Sequence, residues 1–582
     1  MMITDILLQL QQRIINHLDA IYTDLSQPKK EQLSQRLIAL MRLDEHCFTP
    51  KMHHNHWNEK DIGVITYGNS IVRDGEKPLK TLYQFLHQHL HDTVNTVHIL
   101  PFFPYCADDG FSVIDYTEVN SELGQWQDIE LISRDFRLMS DLVINHCSKE
   151  NQWFKNFIEQ KNPGKDYFFT AAPDDNLSQV IRPRTTPLLR QTATKAGTQY
   201  VWCTFSHDQV DMDFSNTAVL CEFVNIIRLY LDKGVRIFRL DAVAFLWKDI
   251  TNESINLPQT HEIVRLLRTL IEHAQLDALI ITETNIPNRE NLAYFGNANE
   301  AHAIYNFSLP PLLVHTLVSS SCCHLKNWMM SMPPAQNGTC YFNFIASHDG
   351  IGLRPVEGLL EEKEIEEFAA TMANFGGTVS WRALDNGVNK PYEINITLFD
   401  ALAGTTKGKD EWQMARFVNA HAIMLALEGI PALYIHSFLG TENDYAKVNQ
   451  TGHARSINRH HWQADKLEEQ LEDKNNKHRQ LLDKLKALIH IRKQQAAFHP
   501  NATQFTLHIN DQVFAFWRQS MDRRQSIFCL NNISPKPQSI SLASINLVST
   551  DHWRDLISAS TLESSQEELT IAPYQTLWLS NT

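Results

Sequence analysis

Cysteine is scarce, with nine residues in 582, and no two are spaced as CxxC. A disulfide scaffold needs a far higher density, and a structural zinc or dithiol redox site needs paired thiols. Basic charge is also short. Lys and Arg number 52 against 67 Asp and Glu, a net charge of −15, so the electrostatic footprint of a nucleic-acid binder is missing. Long apolar runs are lacking too. No stretch of about 18 apolar residues offers a membrane span, and Met1 to Leu10 has neither the basic start nor the unbroken apolar core of a signal peptide. The expected location is the cytoplasm, with no nucleic-acid or membrane partner.

What is present is ordinary globular composition, 43% apolar and 20% charged, enough to bury a large core. The N-terminus reads as an amphipathic helix, with Ile6, Leu7, Leu10, Ile14, Ile15 and Leu18 at helical spacing. Eight short runs rich in β-branched and aromatic residues then recur. They are Ile62–Tyr67, Val97–Pro101, Leu138–Ile144, Val235–Leu240, Ala278–Thr282, Ala303–Phe307, Tyr341–Ala346 and Pro431–Ile435. Near-continuous apolar runs suit strands buried on both faces, as in a parallel sheet. Helical patterns lie between most of them, as in Val219–Asp232 and His261–His273.

Eight such alternations predict an α/β fold, a (β/α)8 TIM barrel. Residues 147–215 are too many for a loop and predict an inserted subdomain after the third strand. Past Lys493, alternating segments such as Val513–Trp517 and Ser526–Leu530 predict a C-terminal antiparallel β domain. The expected division is a helical extension (1–58), barrel (59–146), insertion (147–215), barrel (216–495) and β domain (496–582). The charged run Lys466–Lys484 reads as a solvated helix face.

Barrel chemistry sits where strands end at the C-terminal rim. The third strand ends in Asn145-His146, the fourth in Arg239-Leu240-Asp241, the fifth in Thr282-Glu283, and the seventh in His348-Asp349. The second runs into Asp108-Asp109-Gly110-Phe111. Acids at one strand end are commonly structural; acids at several ends of one rim point to a site. A facing carboxylate pair suits glycoside chemistry, one attacking the anomeric carbon while the other protonates the leaving oxygen. Asp241 and Glu283 end adjacent strands. Arg239 shares the face of Asp241 and is expected to keep it ionised. Asp349 can stabilise developing positive charge, and His146 and His348 can bind sugar hydroxyls.

The segments Asp141-Leu142-Val143-Ile144-Asn145-His146, Val235-Arg236-Ile237-Phe238-Arg239-Leu240-Asp241, Glu283 after Ile280-Ile281-Thr282, and Phe344-Ile345-Ala346-Ser347-His348-Asp349 resemble the four signature regions of the alpha-amylase clan. Asp108 to Tyr116, Ile181-Arg182-Pro183-Arg184, Phe307 to Leu313 and Ser456-Ile457-Asn458-Arg459 further resemble the sucrose phosphorylase group of retaining alpha-glucoside phosphorylases. This resemblance implies Asp241 as nucleophile, Glu283 as acid/base and Asp349 as transition-state stabiliser. It implies a glucosyl site of Asp108, His146, Arg239, His348 and Arg459, with Phe111 and Phe205 as apolar walls. It implies Arg182 or Arg184 as phosphate ligands.

Phe245 stands where sucrose phosphorylases carry tyrosine. The loops Thr185 to Arg190, Gly376 to Arg382 and Pro391 to Asn395 look closer to the glucosylglycerate phosphorylase branch and its glucosylglycerol-acting relatives. Arg382 and Arg190 are candidate contacts for phosphate or an acceptor carboxylate, and Trp381 and Trp247 are further suspects for the acceptor site.

The expected reaction is phosphorolysis of a small alpha-glucoside, with phosphate as co-substrate and no metal or organic cofactor. Sucrose phosphorolysis and plain hydrolysis or transglucosylation are alternatives using the same carboxylates. A catalytically dead barrel acting as a binding subunit would have lost one of them.

Overall fold

A computed structural model describes all residues except 1–2, 185, 384–388, 546–551 and 563–566; Thr185 of the loop quoted above is thus outside the described residues. Eight parallel strands close into a barrel. They are β1 (Gly63–Thr66), β2 (Thr96–Ile99), β3 (Arg137–Val143), β4 (Val235–Asp241), β5 (Leu279–Thr282), β6 (Ala303–Tyr305), β7 (Cys340–Asn343) and β8 (Ile430–Tyr434). Each falls on one of the eight apolar runs. The ring closes through Gly63 paired with Ala432, where a Cβ on the glycine would stand 3.2 Å from the alanine Cβ. Glycine here admits the close approach of β1 to β8.

The crossover helices form as their patterns predict. Two N-terminal helices, α1 (Ile3–Ile21) and α2 (Gln27–Leu40), form a hairpin against this outer layer. Helix α3 (Thr217–Asp232) starts at Asn216, whose side chain accepts from the Ala218 amide, and buries Val219, Phe223, Ile226 and Tyr230 against the sheet. Helix α4 (Pro258–Ala274) opens on a proline, which needs no amide partner there, and buries Ile263, Leu266, Leu267 and Ile271. His17 Nδ1 on α1 lies 2.5 Å from Glu262 on α4, and the Tyr22 hydroxyl donates to the Phe214 carbonyl.

Between β3 and β4 the chain builds a helix (Gln152–Glu159) and a hairpin (Leu189–Thr194 with Gly197–Trp202) around its own small apolar cluster of Val180, Leu188 and Trp202. The pair His146–Ser148 and Gln209–Asp211 ties this insertion to the end of β3. After β7 comes a three-stranded sheet of Ile351–Gly352, Asn389–Asn395 and Thr378–Ala383, which the sequence pattern did not predict. The chain ends in a five-stranded antiparallel sheet that includes Thr503–Asn510, Val513–Gln519, Ser526–Asn532 and Thr576–Ser580. It docks on the barrel through the buried Arg518, which donates to the Ala426 carbonyl at 2.6 Å. Among the described residues no helix is long and apolar enough to cross a membrane.

Candidate active site

Strand alternation sends Arg239 and Asp241 to the same face of β4. Arg239 Nη1 lies 2.9 Å from Asp241, and its Nη2 lies 3.8 Å from Glu283. The same guanidinium donates to Asp141 on β3, which also meets His98 Nε2 at 2.7 Å. Directly after Asp241, Ala242 takes φ +50°, a strained conformation for a residue with a Cβ. That turn aims its N–H at Glu283 Oε2, 2.9 Å away. One cation and one strained amide thus hold two carboxylates from adjacent strands in a common place.

Across the cleft, Arg455 Nη1 lies 2.5 Å from Asp349, and its Nε and Nη2 grip Glu393 at 2.9 and 2.6 Å. Burial opposes the charge on Asp349, but Arg455, His348 and Arg459 outweigh it and hold the carboxyl well below its ordinary range. His348 stacks on Phe111 with ring centres 4.9 Å apart. His146 meets the Phe111 carbonyl at 2.9 Å, and Gln209 donates to the same oxygen. Phe205 and Phe245 stand edge to face beside His146. Burial lowers the pKa of both histidines, His348 to about 3, so both are neutral at ordinary pH.

These groups line one cleft, with aromatic walls and a few convergent polar groups as small-molecule sites have. Asp241, Glu283, Asp349, Asp108, Phe111, His146, Phe205, His348 and Arg184 all contribute to its wall, and Arg239 lies beneath it, over the Phe111 ring. Asp108, Asp109 and Gly110 all have positive φ. This turn points Asp108 into the cleft and Asp109 away from it.

Four arginines stand elsewhere. Arg182 is exposed and donates to the Thr186 carbonyl. Arg382 is paired with Glu357 at 2.5 Å on the sheet after β7. Arg459 is committed to Asp109 at 2.6 Å and to the His348 carbonyl at 2.9 Å, bracing the cleft from behind. Arg190 likewise donates to the His207 carbonyl.

The expectation that Arg239 lowers Asp241 also needs correction. Burial and the neighbouring carboxylates of Glu283, Asp141 and Asp349 outweigh the guanidinium, so Asp241 lies well above its ordinary range, and burial raises Glu283 too. One guanidinium cannot neutralise three acids, and the Asp241–Glu283 pair therefore keeps a proton.

Sequence reasoning missed Arg455, Glu393, Arg354, Tyr392 and Asn285. All but Glu393 line the cleft, and Glu393 holds Arg455 there. Their signals were available: Arg455 immediately precedes the segment Ser456–Arg459, and Arg354 lies five residues past Asp349 on the same rim loop. Among the described residues no three His, Cys, Asp or Glu side chains are grouped to hold a metal ion.

The family profile described as alpha amylase, catalytic domain, matches residues 88–369, and that of the maltogenic amylase C-terminal domain matches residues 503–578. The chain is 39% identical over 574 residues to a glucosylglycerate phosphorylase of Escherichia coli (strain K12), covering 98% of this chain and 100% of that one. It is 28% identical over 469 residues to a glucosylglycerol phosphorylase of Marinobacter adhaerens, covering 78% of this chain and 92% of the relative. The fold matches a crystal structure of sucrose 6F-phosphate phosphorylase from Thermoanaerobacter thermosaccharolyticum with TM-score 0.71 at 23% identity, over 88% of this chain and 98% of that one.

Proposed function

Because the chain belongs to the alpha-amylase family, in the sucrose phosphorylase-like group that includes the glucosylglycerate phosphorylases, we propose that it catalyses reversible phosphorolysis of 2-O-alpha-glucosylglycerate, giving alpha-glucose 1-phosphate and glycerate. The observation that carries this reading is similarity to glucosylglycerate phosphorylases along 98% of the chain, with all three rim carboxylates in place.

Asp241 is the nucleophile. Its closer bond to Arg239 favours the negative charge of the coupled pair on Asp241, and the reaction takes place from the form in which Glu283 carries the shared proton. Asp241 attacks the anomeric carbon while Glu283 gives its proton to the departing glycerate oxygen, leaving a beta-linked glucosyl-enzyme. Phosphate then attacks from the face that glycerate left, and Glu283 accepts the proton of the incoming group, so configuration is retained.

Asp349, ionised through Arg455, stabilises the positive charge that develops on the glucosyl ring. Neutral His146 and His348, with Asp108, bind its hydroxyls, and Phe111 and Phe205 wall it. Arg184, the arginine of the inserted subdomain that lines the cleft, helps to draw phosphate in. Inorganic phosphate is the co-substrate; the reaction as written needs no metal or organic cofactor. The enzyme acts on small molecules in the cytoplasm, without nucleic acid or membrane.

The test is phosphate release from alpha-glucose 1-phosphate with glycerate, glycerol and fructose offered in parallel. Glycerate-dependent release is the expected result. Preference for glycerol or fructose would replace the acceptor, and slow release indifferent to all three would make water the acceptor and the enzyme a hydrolase.

A further inference from the structure

We propose that Arg354 is the seat for the oxyanions of this reaction, holding the acceptor's carboxylate in one half-reaction and phosphate in the other. The inference rests on the phosphorolysis of an acidic glucoside read above and names the residue that recognises the acid.

Five arginines stand in or directly behind the cleft. Three are spent on the protein itself: Arg239 on Asp141 and Asp241, Arg455 on Asp349 and Glu393, and Arg459 on Asp109. Arg184 lies over the Tyr392 ring, its charge 5.6 Å from the ring centre. Arg354 is left. It lines the cleft, it is only 8% exposed, and among the described residues no side-chain hydrogen bond, ion pair or ring contact engages it.

Among the described residues the other buried guanidiniums are not left in that state. Arg416 donates to the Leu402 carbonyl and to Asp410, Arg492 to the Leu425 carbonyl, and Arg518 to the carbonyls of Ala426 and His499. A guanidinium carries five donors, and those of Arg354 open onto the cleft without a partner among the described residues. An anion entering the cleft would supply the missing partner, with the bidentate geometry that carboxylate and phosphate share.

Position agrees with this role. Arg354 begins a short helical turn with Pro355, whose carbonyl accepts from Ser308 Oγ at 3.0 Å, so the backbone is fixed. Two residues earlier, Gly352 packs on Asn285: a Cβ there would stand 3.1 Å from the Asn285 amide nitrogen. Asn285 follows Glu283 by two residues and lines the same cleft. The Arg354 turn therefore stands on the side where Glu283 meets the departing oxygen. In a 2-O-glucosylglycerate the carboxylate is one carbon from that oxygen. Phosphate attacks the same carbon from the same face, so the two oxyanions occupy this place in turn, never together.

The experiment supplies alpha-glucosyl fluoride as donor and measures two ratios: transfer to glycerate over glycerol, and transfer to phosphate over water. Ratios within one sample cancel any loss of folded enzyme. In Arg354→Gln both ratios should fall by roughly 10- to 100-fold, the span of one charge-assisted hydrogen bond. Arg354→Lys, which keeps the charge without the fork, should recover part of each. Unchanged ratios in Arg354→Gln would overturn the seat, and a fall in the glycerate ratio alone would overturn its sharing with phosphate. A wild-type enzyme indifferent to glycerate, with a phosphate ratio that still falls in Arg354→Gln, would overturn the acceptor reading and uphold the phosphate half.

Discussion

Arg455 stands between two acids, with Asp349 at 2.5 Å on one side and Glu393 gripped through two nitrogens on the other. Glu393 fixes the guanidinium, and the guanidinium keeps Asp349 charged although the carboxylate is buried. A neutral residue at 455 strands that charge. Arg455→Met should lower kcat/KM by about 10- to 100-fold, in line with losing a charge-assisted bond in a half-buried pair. Glu393→Gln, which loosens the grip and leaves the cation, should cost less. A steady-state comparison checks both; equal, small losses would mean that Asp349 needs no such support.

The retained proton of Asp241 and Glu283 predicts a bell-shaped pH profile. Glu283 must be protonated to act, and its pKa is raised by burial, so activity falls as pH rises through that value. Asp241 must be ionised, so activity also falls as pH drops through the first ionisation of the pair. Asp241→Asn should abolish turnover. Glu283→Gln should stop phosphorolysis of a glucoside, yet still form the glucosyl-enzyme from alpha-glucosyl fluoride, whose leaving group needs no proton. Equal loss with both donors would move the acid role to another residue.

The barrel was legible because its signal is local: short apolar runs rich in β-branched and aromatic residues recur between helical patterns, and all eight hold strands. The rim was legible for the same reason, since Asp241 and Glu283 sit at strand ends and Asp349 lies in the loop that follows β7. The arginines were not. Arg182, Arg184 and Arg382 are equal as letters, and only the fold decides that Arg184 lines the cleft, that Arg382 is paired with Glu357, and that Arg182 is in solvent. Arg459 shows the limit most clearly. Its neighbourhood was read correctly, but Asp109, 350 residues away in sequence, takes its charge.

Lys248 is fully buried, with its ammonium 2.7 Å from Asn145 Oδ1 and 3.1 Å from Asp211. It bolts the inserted subdomain, through Asp211, to the end of β3, and Asn145 in turn donates to His146 Nδ1 at 3.2 Å. Lys248→Met keeps the volume and removes the cation, leaving Asp211 uncompensated. The expected cost is about 3–5 kcal/mol of stability, with weaker glucosyl binding because His146 loses its anchor. Thermal melts and glucose titration check this; an unchanged melting temperature would show that the bolt carries no net stability.

Glu428 predicts a pH effect on stability at a site remote from the chemistry. It lies just before β8, its Oε1 accepting from the Ala335 amide at 2.8 Å, and burial raises its pKa from 4.5 to about 7. The folded chain therefore holds this proton more tightly than the unfolded chain. The stabilisation is complete below 4.5, the unfolded value, and is lost as pH rises through about 7. Its size is up to about 3 kcal/mol, since each tenfold difference in proton affinity between the folded and unfolded chain is worth about 1.4 kcal/mol. Glu428→Gln keeps an acceptor for Ala335 and cannot ionise. The variant should melt near wild type at roughly pH 4.5 and above it at roughly pH 8. A wild type whose melting temperature tracks the variant's at both values would show that Glu428 stays ionised in the folded protein.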